Sequence, residues 1–110
     1  MNLFRGMLPY ELRKVDNYTK GEVQVDTCLV TDSEQPYETG ACHPKYNKGD
    51  WVIVELYDTK ELAQKGHDKW VKLMTAKKLP KSLKDVSSAD IAKLCEAVGS
   101  DFRKPIKLNE

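Results

Sequence analysis

The chain has 110 residues, with 18 Lys/Arg against 17 Asp/Glu, 40% hydrophobic residues and three cysteines. That length suits one domain around one modest core, and the near-neutral total argues against a nucleic-acid binder. An odd number of irregularly spaced cysteines argues against a disulfide framework, and no apolar run approaches membrane-spanning length.

In chain order, Met1-Asn2-Leu3-Phe4-Arg5-Gly6 lacks the pattern of a signal peptide, so synthesis in the cytoplasm is expected. Residues 1–21 have little periodicity and predict an irregular N-terminal arm, broken by Gly6, Pro9 and the polar stretch Asp16–Gly21, with a short helix possible over Tyr10–Val15. Its apolar residues Leu3, Phe4, Met7 and Leu8 need cover. Either they close over the open face of a sheet or they dock on a neighbouring subunit. Glu22–Thr31 alternates, with Val23, Val25, Thr27 and Leu29 on one face, which predicts a half-buried strand.

Tyr37–His43 and Trp51–Tyr57 predict a hairpin across the turn residues Asn47-Lys48-Gly49-Asp50. The second of these strands is almost wholly β-branched, aromatic or aliphatic, the composition of a central strand covered on both faces. Its one acid, Glu55, belongs near a rim or in a pair. The period then changes to that of a helix over Thr59–Thr75, N-capped by Asp58 or Thr59, with Glu61 at capping-box spacing from Asp58. Leu62, Ala63, Gly66, Trp70, Val71 and Met74 form its apolar stripe. Gly66 within a helix implies close approach of the helix backbone to the sheet, and Trp70 is expected largely buried against Val52, Val54 or Leu56. Residues 77–87 read as a linker, 88–99 as a short helix with Ile91, Leu94, Cys95 and Val98 apolar, and 100–110 as a polar tail.

The run from Tyr37-Glu38-Thr39 to Tyr57-Asp58-Thr59-Lys60-Glu61 and Gly66-His67-Asp68-Lys69-Trp70-Val71 resembles small uncharacterised proteins encoded by tailed bacteriophages. Their pattern is a strand with E-T, then Y-x-T-x-E-E-A, then G-H-x-x-x-V, and Val25–Val30 occupies the place of their first strand. The match covers about half of the chain. It departs at Lys60-Glu61-Leu62-Ala63, where the paired acids usually fall, and in the extensions at both ends. The resemblance implies a viral source and a compact β-β-β-α core, and it carries no catalytic residues to transfer.

Cys28, Cys42, Cys95, His43 and His67 are all the thiols and imidazoles, and they show neither C-x-x-C nor H-x-x-x-H spacing. Cys42 and His43 are neighbours on a strand and should point to opposite faces. No metal and no cofactor is expected. Catalysis is not expected either: Cys42 with His67 is the one nucleophile–base pair worth testing, Glu38 and Glu55 the one carboxylate pair, and no phosphate loop or hydrolase motif is present.

Charge is unevenly spread: residues 1–59 carry 6 Lys/Arg and 10 Asp/Glu, whereas residues 60–84 carry 8 Lys and 2 acids. A lysine-rich helix face is ordinarily just solvated. It is also a surface for an acidic partner, with Lys69, Lys72, Lys77 and Lys78 the residues available to it. The expected fold is α+β: a three-stranded antiparallel meander with one amphipathic helix across it, a short C-terminal helix and an N-terminal arm. One helix cannot cover both faces of such a sheet. The expected function is therefore non-enzymatic protein–protein interaction in a tailed phage: a virion-associated protein of head, connector or tail, contacting other phage structural proteins or itself as a homo-oligomer. Neither membrane nor nucleic acid is expected as a partner. The alternative is an intracellular accessory protein that inhibits a host defence system or sequesters a small anionic ligand.

Overall fold

A computed structural model describes residues 9–30, 35–86 and 105–109. Four strands, β1 (Lys14–Lys20), β2 (Val23–Leu29), β3 (Tyr37–Cys42) and β4 (Val52–Tyr57), form an antiparallel meander in that order. A single helical turn, α1 (Tyr10–Arg13), precedes β1, and α2 (Lys60–Thr75) lies against all four strands. A small ribbon pairs β5 (Ser82–Leu83) with β6 (Ile106–Lys107). The class is α+β as expected, with one strand more in the main sheet than the sequence suggests and the small ribbon besides.

The additional strand, β1, comes from the segment read as an irregular arm. Its residues are polar because it is an edge strand with little to bury, so the alternation that marks β2 is missing. The hairpin signal is nevertheless there. Lys20 pairs with Val23, which leaves Gly21-Glu22 as a two-residue loop. Gly21 has φ +61 and Glu22 does not enter the left-handed region, the type II′ geometry whose twist suits flanking strands.

A second correction concerns β4, which lies at the other edge of the sheet; the central strands are β2 and β3. Its apolar run has a different cause. Val52, Val54 and Tyr57 are buried toward α2, while Ile53 and Leu56 lie half-buried on the opposite face. Its open edge is met by Val86, whose N–H donates to the Ile53 carbonyl at 2.8 Å. Leu56, expected to face the helix, thus stands across from Glu38 on the far face.

Each edge strand carries one irregularity. Lys14 pairs with Cys28 and Asp16 with Thr27, so Val15 is extra; Thr39 pairs with Glu55 and Gly40 with Ile53, so Val54 is extra. A bulge interrupts strict alternation and re-aims the following side chain. Here the two bulges bring Asp16 and Glu55 onto the face beneath α2, opposite Thr27 and Thr39.

Helix α2 starts at Thr59, whose hydroxyl accepts from the Leu62 N–H at 3.2 Å. With Thr59 as cap, Glu61 is one position short of a capping box. The buried face is Ala63, Gly66, His67 and Met74, so His67 takes a place that the sequence reading gives to Leu62, which is 48% exposed. A Cβ at Gly66 would overlap the Tyr57 ring and hydroxyl, which is the close approach expected at that glycine. Trp70 is half-buried rather than largely buried, packed against the cluster that contains Val52 and Val54.

That cluster is completed by Val25, Ala41, Tyr46, Met74 and Leu83. Tyr46, 1% exposed, donates its hydroxyl to the Pro80 carbonyl at 2.5 Å and so fastens the β3–β4 loop to the exit of α2. The segments read as linker and tail also enter the fold, since Leu83 is buried and pairs with Ile106. Leu3, Phe4, Met7 and Leu8, the expected helix over 88–99 and Cys95 lie outside the described residues.

Candidate functional site

Beneath α2 a line of polar side chains crosses the sheet from edge to edge. The Tyr57 hydroxyl lies 3.2 Å from Glu55 Oε1 and 3.0 Å from Thr39 Oγ1; Thr39 and Thr27 hydroxyls are 2.5 Å apart; Thr27 Oγ1 is 2.8 Å from His67 Nδ1. Thr27, Thr39 and His67 are at most 2% exposed. Groups so deeply buried must satisfy one another, and they do.

Glu55 sets the polarity of the line. Burial pushes its carboxyl up, but hydrogen bonds from Lys69 Nζ at 2.6 Å, Trp70 Nε1 at 2.9 Å and Tyr57 outweigh that and hold it below the usual carboxylate range. An ionised carboxylate only accepts. Tyr57 therefore donates to Glu55 and accepts from Thr39, Thr39 accepts from Thr27, and Thr27 accepts from His67 Nδ1–H. Burial, with the charge of Glu55, keeps the Tyr57 hydroxyl well above its ordinary value and hence protonated.

The network thus assigns the Nδ1 proton of His67 and turns Nε2 toward Asp16 Oδ2, 3.8 Å away. Asp16 lies below the usual carboxylate range, chiefly because Gln64 Nε2 donates to it at 3.0 Å, with the Asn17 N–H and His67 adding to the effect. The line ends in a carboxylate at each edge of the sheet. It fixes the sheet against the helix. The Glu55 end opens on a groove of about 340 Å3 lined by Tyr57, Leu62, Lys65, Gly66 and Lys69.

The pairs singled out as possible chemistry are not brought together. Cys42 sits on the face away from α2 and donates its thiol to the Gly49 carbonyl, whereas His67 is beneath α2. Glu38 pairs with Leu56 on the far face and Glu55 lies on the helix side. Cys28 and Cys42 are free thiols, both raised by burial and by neighbouring carboxylates, Cys28 to about 11, so neither is a ready thiolate. Among the described residues no group of three or more His, Cys, Asp or Glu is placed to hold a metal ion. Nor, among them, is any helix long and apolar enough to cross a membrane.

Charge is divided between the two sides of the sheet. On the far side Asp26 and Glu38 lie close enough to raise Cys28 together, and burial with the charges of Asp26 and Asp85 lifts Glu38 above its ordinary value, against the pull of Arg13. On the helix side Lys65, Lys69 and Lys72 line a shallow depression with Asp68 and Leu73. The four lysines expected to act together are split. Lys69 pairs with Glu55 and lies 5.5 Å from the Trp70 ring centre, whereas Lys77 and Lys78 join Lys45 and Lys81 around a separate hollow. Lys45 had no sequence signal, being more than thirty residues from its companions. Comparison with protein-family models, with curated proteins and with solved structures gives no match to this chain.

Proposed function

We propose that the protein is a non-enzymatic interaction protein of a tailed phage, made in the host cytoplasm and carried in the virion as part of the head, connector or tail. It associates head to tail with further copies of itself or with other phage structural proteins. The observation that carries this reading is the opposition of an acidic sheet face, with Asp26, Glu38 and Asp85, to a lysine-bearing helix face. Two different surfaces that attract each other make a heterologous contact, which closes into a ring or extends, and such a contact weakens with salt.

Sedimentation of the full chain across concentration and salt tests it. Association at low salt is expected, weakened by added salt and by K65E/K72E. A chain that stays monomeric throughout, or purified phage particles whose mass spectrum lacks it, would sink the structural reading. One observation favours the alternative of an intracellular accessory protein that holds a small anionic ligand: the hollow that gathers Lys45, Lys77, Lys78 and Lys81.

A further inference from the structure

The lysine hollow encloses about 250 Å3 and is lined by Lys45, Lys77, Lys78 and Lys81 over Leu79 and Leu108. Three chain segments build it. Lys45 comes from the turn after β3, Lys77 to Lys81 from the stretch leaving α2, and Leu108 from just beyond β6. Main-chain bonds tie these segments together: Leu108 N–H donates to the Lys81 carbonyl at 2.9 Å and Asn109 N–H to the Lys45 carbonyl at 2.8 Å. Tyr46 adds its bond to Pro80 within the same frame. The gathering of these four lysines around one hollow therefore follows from how the fold joins the three segments.

Among the described residues no carboxylate lines the hollow, and none of the four lysines has an ion-pair partner. The end of α2 lies just before Lys77, and its partial negative charge of roughly half a unit offsets only a small part of four positive charges. Leu79 and Leu108, both half-buried against the core, supply a floor of low polarizability that strengthens the field above it. Like charges gathered in a concavity are unfavourable until an anion joins them.

We propose that this hollow binds a compact ligand through two or more adjacent phosphoryl groups, as in an oligophosphate or a nucleoside polyphosphate. The proposal rests on the accessory-protein reading and gives it a ligand class. Four cations around one hollow call for several negative charges in a small volume, which adjacent phosphoryl groups supply and a single carboxylate does not. Lysine suits them as a mobile point charge with three donors, where a planar carboxylate favours the arginine fork. The volume falls below the roughly 300 Å3 at which whole-ligand pockets begin, so the phosphoryl portion enters and the rest of the ligand stays outside. A nucleic-acid track would instead spread its cations along a groove, and here Lys65, Lys69 and Lys72 stand apart from the hollow.

Calorimetric titration of the full chain at low salt, with orthophosphate, pyrophosphate, tripolyphosphate, ATP and an unphosphorylated single-stranded oligonucleotide, tests the proposal. Tripolyphosphate and ATP should bind at one site, more tightly than orthophosphate. K77Q/K78Q should weaken that binding by roughly tenfold, while K65Q/K72Q leaves it within about twofold. Equal weakening by both variants, equal affinity for ortho- and tripolyphosphate, or binding of the oligonucleotide alone would overturn it. Oligophosphate binding that survives K77Q/K78Q would remove this site and leave the anionic-ligand reading standing. No binding of any probe would remove both.

Discussion

Glu55 and Asp16 end the same hydrogen-bonded line at opposite edges of the sheet, each placed by a bulge, yet the two ends are built differently. Glu55 is gripped by three donors, from Lys69, Trp70 and Tyr57. Asp16 takes one side-chain bond from Gln64 and one from the Asn17 main chain, and faces the His67 ring at 3.8 Å without closing a hydrogen bond. The same residue class in the same topological position is thus fixed at one edge and loosely held at the other. Donor number and distance make the difference, since each bond to a charged group contributes about 1.5–3 kcal/mol when well made.

The largest effect should come from Gly66→Ala, which attacks the line where it meets the helix. The new methyl would overlap Tyr57, so either α2 lifts from β4 or the ring leaves Thr39 and Glu55. Overpacking of this kind costs about 3 kcal/mol, read by chemical denaturation. A loss under about 1 kcal/mol would mean that Tyr57 does not lie against the helix backbone. The Glu55 end should suffer first, because Tyr57 is its link to the rest of the line.

A cut at the centre comes next. Thr27→Val keeps the shape but removes the hydroxyl that takes the His67 proton and serves Thr39, leaving buried polar atoms without partners. The expected loss is about 2 kcal/mol. Thr39→Val should cost less, since Tyr57 keeps its bond to Glu55. If the line acts as a unit, the double variant loses less than the two single losses together, by about 0.5 kcal/mol or more. Strict additivity would reduce the line to independent pairs.

Much of this architecture is legible in the residues, and the misses have physical causes. Alternation in Val23–Leu29 and helical spacing in Ala63, Gly66, Trp70 and Met74 report the surfaces they bury, so β2 and α2 could be read. Strand β1 could not be read from its pattern, because an edge strand buries little; only Gly21 signalled it. The apolar run of β4 imitates a central strand because Val54, a bulge residue, interrupts its alternation and the far side is partly covered. Thr27 and Thr39 are recognisable as inward residues, but alternation within each strand says which residues face inward and not which of them stand opposite each other. The lysine hollow exists only because Tyr46 and the last described strand fasten distant segments together. No local pattern records such a closure.

The smallest and most discriminating effect is the acid response of the two ends. Asp16 and Glu55 both have folded-state values below the ordinary carboxylate range. Each therefore adds stability that is fully present above the unfolded value, about 4, and is lost as pH falls through the depressed folded value. Glu38, raised by burial and nearby acids, works the other way: its contribution is present below the unfolded value and lost as pH rises through the folded one. Glu38→Gln should therefore raise stability at neutral pH. Glu55→Gln and Asp16→Asn should each flatten the fall in stability below about pH 4, measured as denaturation midpoints across pH. The Glu55 variant should flatten it more, because three donors prefer the ionised form and its side chain is 35% exposed against 46% for Asp16. Added salt should shrink the Asp16 share further, since its pairing with His67 is longer and more open to solvent. Equal flattening by the two variants would mean that the three-donor grip and the looser contact have the same worth. The distinction between a fixed and a responsive end of the line would then fail.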